Sequence, residues 1–204
     1  MKLVTAYRLR GHEKAQLNPL GLAHSSEVQD LDPIWQGLDS SDMDREFDSG
    51  SLVAPNRMTL REIIDLCEKV YCGSIGVEYL HISDTNKREW LQNRLEGCRG
   101  EYQVTDEERQ RILKNLTPAA GLEKYLHTRY VGQKRFSLEG GDSLIPLLHE
   151  SMLHMGAGGV QEVVIGMAHR GRLNVLVNIL GKSPAMLFEE FEGQVKDDNP
   201  LRSG

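Results

Sequence analysis

Cysteine is scarce in this chain of 204 residues, which carries only Cys67, Cys72 and Cys98. They form no C-x-x-C pair, and an odd, sparse set suits free thiols in a reducing compartment better than a disulfide framework. Long apolar runs are missing as well. The longest worth naming is Val175-Leu176-Val177, followed after Asn178 by Ile179-Leu180, far short of the roughly 20 residues of a spanning helix. The segment from Met1 to Arg8 has no apolar core of secretory-signal length. Positive charge is in the minority: 24 Lys and Arg stand against 30 Asp and Glu, for a formal net charge of -6. That balance argues against a general nucleic-acid binder, which needs clustered positive charge for phosphates. What remains is a soluble, non-membrane chain, cytoplasmic by expectation. Its 39% hydrophobic and 26% charged residues are ordinary for a globular protein, and a compact domain this long buries roughly 70% of its unfolded surface without cross-links.

Organisation emerges along the chain. An apolar-basic opening stops at the turn Asn18-Pro19-Leu20-Gly21. Residues 27–48 then hold eight acids (Glu27, Asp30, Asp32, Asp39, Asp42, Asp44, Glu46, Asp48) against Arg45 alone, which reads as a solvated linker or covering loop. Its acids lack the spacing of a calcium loop. Thr59 with Glu62 forms a capping box, and Leu60, Ile63, Ile64, Cys67, Val70 and Tyr71 share the face of the helix that follows. Residues 77–82 alternate as a short strand, and Thr85 caps a helix to about Leu95. A second box, Thr105 with Glu108, opens another helix. Thr117-Pro118 suggests a fresh start, with proline at the favoured first position.

The last third predicts a helix over 143–155, a buried strand over Gln161 to Gly166, a loop, a helix from Leu173 to Leu180, and a final helix from Ser183-Pro184. These readings divide the chain into 1–56, 57–128 and 129–204, and give an α/β class with a small helical region in front.

Several short patterns are decoys. His149-Glu150 with His154 is not a zinc-protease helix, because rings five residues apart point about 140° apart. Gly156-Ala157-Gly158-Gly159 precedes a strand instead of following one, so it is a helix stop and not a dinucleotide loop. Gly141-Asp142-Ser143, with Asn174 downstream, suggests a magnesium motif. Helix capping by Asp142 or Ser143 accounts for it better, with Asn174 an ordinary helix residue.

The loop His169-Arg170-Gly171-Arg172 is the best site candidate. It leaves a strand and opens a helix, where α/β sheets place ligands and where amides and dipole favour an anion. Surface arginines paired with nearby carboxylates are the other reading, and the residues alone leave both open. Lys134-Arg135-Phe136 adds charge and an aromatic that either walls a pocket or fills a core.

Two long strings carry a resemblance. The run from Tyr130 to Leu148 (YVGQKRFSLEGGDSLIPLL) and that from Gly166 to Leu176 (GMAHRGRLNVL) strongly resemble the thiamine diphosphate-dependent 2-oxoglutarate dehydrogenases. Tyr7-Arg8-Leu9-Arg10-Gly11-His12, Leu17-Asn18-Pro19-Leu20-Gly21 and Gly76-Val77-Glu78-Tyr79 add to it, and the likeness is weakest over 22–50. The resemblance implies that the last third starts a thiamine diphosphate-binding α/β domain. It also implies decarboxylation of 2-oxoglutarate by the cofactor's carbanion. The succinyl group then passes to a lipoyl arm on the succinyltransferase component of a multienzyme complex in the tricarboxylic acid cycle. By position, His169 is implied as catalytic and substrate-binding, Phe136 as a wall of the substrate pocket, and Arg170 as a contact of the cofactor diphosphate. A homodimer is implied, in the bacterial cytoplasm or, for a eukaryotic source, the mitochondrial matrix.

The family polypeptide is several times longer. Its Mg2+ ligands, a second active-site histidine and the base-activating acid are expected beyond residue 204, and a docking arm before Met1. No metal ligand is therefore assigned here, and Asn18 stands where the family turn has Asp. A paralogue acting on 2-oxoadipate is the enzymatic rival, and a non-catalytic interaction module is the reading from another class.

Overall fold

The computed structural model describes residues 2–22 and 27–194. Its contacts group the chain into two compact units, 1–103 and 104–204, whereas the sequence suggests divisions after 56 and 128. The grouping follows from two helices. The helix after residue 60 packs on the first helix of the chain, and a single long helix runs across residue 128.

In the first unit, α1 (Lys2–Lys14) lies on α2 (Leu60–Tyr71). Leu3, Val4 and Tyr7 of α1 meet Ile63, Cys67, Val70 and Tyr71 of α2 in one buried cluster. Gly11 permits the approach, since a Cβ there would stand 2.5 Å from the Cβ of Tyr71. The capping box at α2 is present: the Thr59 amide donates to Glu62 Oε2 at 2.8 Å and the Glu62 amide to Thr59 Oγ1 at 3.3 Å. The acidic stretch is a covering segment of three 3-10 turns, Gln29–Leu31, Pro33–Gln36 and Ser40–Asp42. It buries Val28 and Leu31 in the core and pairs Asp30 with Arg10 at 2.6 Å, so it is not simply solvated. Two short strands, β1 (Glu46–Asp48) and β2 (Arg57–Thr59), pair antiparallel with Phe47 opposite Met58. Residues 77–82 form no strand. Tyr79 is buried there in the helical core instead of pairing with a neighbour. Helix α3 (Thr85–Gly97) is capped by Asp84, which accepts from the Lys87 amide, and not by Thr85.

The second unit is built on α4 (Asp106–Arg129), opened by the Thr105/Glu108 box. Pro118 lies inside it and starts no new helix. The missing N–H removes one rung of the ladder. However, Ala119, Leu122 and Leu126 bury on one continuous face across it, and that packing outweighs the local break. Helices α5 (Leu144–Ala157), α6 (Arg172–Asn178) and α7 (Pro184–Phe191) complete the unit. Ile145 and Val175 pack with Ala119, and Leu173 and Leu187 with Leu126.

The helix cap expected from Asp142 or Ser143 is absent. Ser143 makes no capping bond, and Asp142 accepts from the Gly140 amide in the preceding turn. The buried strand expected over 161–166 is absent too. The run is irregular and exposed, Val164 at 95%, because a parallel-type strand requires flanking strands and none accompanies it among the described residues. Where the sequence predicts an α/β class, the described residues form helices and one two-stranded sheet, the latter in the first unit. No described helix is long and apolar enough to cross a membrane.

Candidate active site

The two strings singled out by sequence meet at one place in the second unit. Phe136 and His169 stack, ring centroids 4.7 Å apart and planes 28° from parallel. The Arg172 guanidinium carbon sits 5.6 Å from the same phenyl centroid, within cation–π range. The backbone joins the strings as well, since the Gly171 amide donates to Phe136 O at 2.8 Å. Gly171 has φ +78°, and a Cβ there would meet Leu138 Cδ1 at 2.6 Å. Only glycine fits this turn. Phe136 itself has φ +48°, a conformation that costs a non-glycine residue about 1–3 kcal/mol and persists only where its surroundings enforce it.

Around this turn lies a buried polar network that the sequence does not announce. The Glu123 carboxylate, on the inner face of α4, accepts at Oε2 from Arg135 Nη1 at 2.7 Å and from Ser137 Oγ at 3.0 Å. At Oε1 it accepts from Asn174 Nδ2 at 3.1 Å. Asn174 also donates to Ala119 O at 2.9 Å and accepts from Asn178 Nδ2 at 2.6 Å. Arg135 is therefore no solvated base adding to a positive patch, because Glu123 matches its charge and His127 Nδ1 lies 3.0 Å from its Nη2. One signal for Glu123 was available: an acid on the helical face of Ala119, Leu122 and Leu126, where a lone charge is not tolerated without a partner.

Charge at the loop is narrower than the sequence suggests. Two amides at the start of α6 are already engaged, Gly171 with Phe136 O and Arg172 with His169 O at 3.2 Å, so the argument from free amides weakens. The loop also follows an exposed segment and not a buried strand. Arg170 keeps the anion argument alive. It is exposed, and one of its N–H groups donates to Glu139 O at 2.8 Å. Among the described residues no carboxylate pairs with it, and a carbonyl acceptor leaves the positive charge uncancelled. A diphosphate suits such a group. Phe136 is 40% exposed, so the exposed part of its ring presents an apolar surface beside the His169 imidazole. Lys134 is exposed. Among the described residues no group of three or more His, Cys, Asp or Glu could hold a metal ion.

No family model matches the chain. Individual proteins do, and several of them are 2-oxoglutarate dehydrogenase E1 components. They include those of Cupriavidus necator, 50% identical over 200 residues, of Azotobacter vinelandii, 48% over 195, and of Haemophilus influenzae, 43% over 197. These alignments cover 98%, 95% and 95% of this chain and 21% of each relative. The chain spans about a fifth of the length of the relatives it matches. In sequence it matches one segment of a 2-oxoglutarate dehydrogenase E1 component.

Proposed function

We propose that this chain supplies part of the active site of a 2-oxoglutarate dehydrogenase, which decarboxylates 2-oxoglutarate and hands the succinyl group to a lipoyl arm of a succinyltransferase. The observation that carries the reading is 50% identity over 98% of the chain to a protein of that name. The Phe136–His169–Arg170 cluster supports it, because the two strings that resemble the family converge there. In this reading the protein acts as a homodimer in the cytoplasm, and the exposed run 161–166 is a strand of a cofactor-binding α/β domain. Its β-branched residues and outward faces favour that role.

Arg170 is assigned to the diphosphate of thiamine diphosphate, whose Mg2+ is held by residues outside this chain. When bound, that cofactor would supply the nucleophilic carbon and would accommodate the electron pair left behind as carbon dioxide departs. His169 then holds or moves a proton at the substrate's reacting oxygen, and Phe136 packs on the substrate's methylene chain and excludes water. Because His169 is exposed at the cluster, its loss leaves the core untouched.

His169→Ala in the full-length protein is expected to lower 2-oxoglutarate turnover about 10²–10⁴-fold, the usual contribution of a positioned acid–base group. Undiminished turnover would remove the assignment. Turnover of 2-oxoadipate by the same protein decides between the acids, since one methylene is worth only about 1–3 kcal/mol of discrimination. A preference for the longer acid would replace 2-oxoglutarate as the substrate.

A further inference from the structure

Glu123 touches no group assigned to substrate or cofactor, yet every bond its carboxylate receives comes from the segment around Phe136 or from α6. Oε2 takes bonds from Arg135 and Ser137, the two residues flanking Phe136. Oε1 takes one from Asn174, three residues beyond Gly171, whose amide holds Phe136 O. The Glu123 side chain is 4% exposed and that of Arg135 12%, so the clamp works with little screening by water. Between the two clamped residues the backbone turns left-handed, φ +48° at Phe136. An aromatic residue relaxes out of that region unless both sides are held.

We propose that Glu123 is the positioning residue of the Phe136–His169 pair: by fixing Arg135 and Ser137 it enforces the left-handed turn and keeps the phenyl ring stacked on the imidazole. This rests on the reading of Phe136 and His169 as substrate-binding residues. A carboxylate that merely anchored α6 on α4 would need only the Asn174 contact. The bonds to both neighbours of the strained residue have no use in such a role.

The test uses E123Q in the full-length protein, read by crystal structure and by kinetics. Glutamine keeps the shape but loses the charge, and its amide turns a donor toward either Arg135 or Asn174. The expected structure has Phe136 out of the left-handed region and its ring off His169. KM for the 2-oxo acid is expected to rise, with kcat/KM falling roughly 10- to 100-fold. In an F136A background E123Q is expected to cause no further loss, because the residue acts through the ring. S137A, which removes one bond of the clamp together with the Oγ contacts to the Glu139 carboxylate and amide, is expected to loosen the stack in the same direction, and it carries the test should E123Q not fold. An intact stack in the variants, or an equal loss from E123Q with and without Phe136, overturns the proposal. If H169A is fully active while the stack still depends on Glu123, the functional reading fails and the positioning role stands.

Discussion

Arg8 and Glu96 are 88 residues apart in the chain and 2.7 Å apart in the fold, with the Glu96 side chain fully buried. The same carboxylate accepts from Tyr71 OH at 2.7 Å and from the Val53 amide at 3.0 Å. Arg8 also donates to Ser51 Oγ at 2.8 Å and Ser51 O at 2.9 Å. Helices α1, α2 and α3 are tied through this one acid. Replacing it by alanine strands a buried guanidinium, a phenol and an amide together, and a loss of about 3–5 kcal/mol is expected. Denaturant midpoints of wild type and E96A measure it. The double variant R8M/E96L, which removes both charges, is expected to recover much of the loss. A midpoint unchanged in E96A alone would show that the network is dispensable.

Gly11 presents a contest of two effects. Alanine is better in a helix interior by about 1 kcal/mol, but its Cβ would stand 2.5 Å from Tyr71 Cβ, between two packed backbones. Overpacking of that kind costs about 1–3 kcal/mol, so sterics win. G11A is expected to melt below wild type, and a higher melting temperature would mean that α1 can move away from α2 freely.

High pH should attack the first unit. Burial raises the Cys67 thiol to about 12 and the Cys72 thiol to about 11, from an ordinary 9.0. Burial also lifts the Tyr7 and Tyr71 phenols well above their usual range. Each group is held neutral by the fold, so its contribution is complete below its unfolded pKa and lost as pH rises toward the folded value. Stability is expected to hold to about pH 9 and to fall steadily toward pH 12, with tyrosinate absorbance appearing together with loss of helical circular dichroism. At pH 8 without denaturant, iodoacetamide should leave Cys67 unmodified. Early labelling of Cys67, or tyrosine ionisation well ahead of unfolding, would contradict this.

Local signals in the sequence translated directly. The Thr59/Glu62 and Thr105/Glu108 boxes depend on residues three apart and formed as read. The joining of Phe136 to His169 was legible only in that the two basic strings carrying them resemble the same family. Apart from the caps expected of Thr85 and of Asp142 or Ser143, what was missed is non-local. Val163 and Val164 encode an extended backbone, but whether such a run becomes a strand depends on neighbours the run does not specify. Pro118 reads as a helix start because its own chemistry says so, and the face shared by Ala119, Leu122 and Leu126 overrides it. Arg8–Glu96 and Glu123–Asn174 were invisible for the same reason. Arg8 and Glu96 look like ordinary surface charges until they meet, and Glu123, although its apolar helix face marks it, gives no sign of which partner it takes.

The division of the chain into two units has a spectroscopic consequence. Both tryptophans, Trp35 and Trp90, lie in the first unit, so indole emission is blind to the unit that carries Phe136 and His169. The second unit has tyrosines only, and Tyr125 and Tyr130 stack on Phe188 in its α4–α7 packing. Tryptophan is therefore an optical label for the first unit only. Melting followed by tryptophan emission would read the first unit alone, whereas tyrosine signals, with Tyr7, Tyr71, Tyr79 and Tyr102 in the first unit and Tyr125 and Tyr130 in the second, report both.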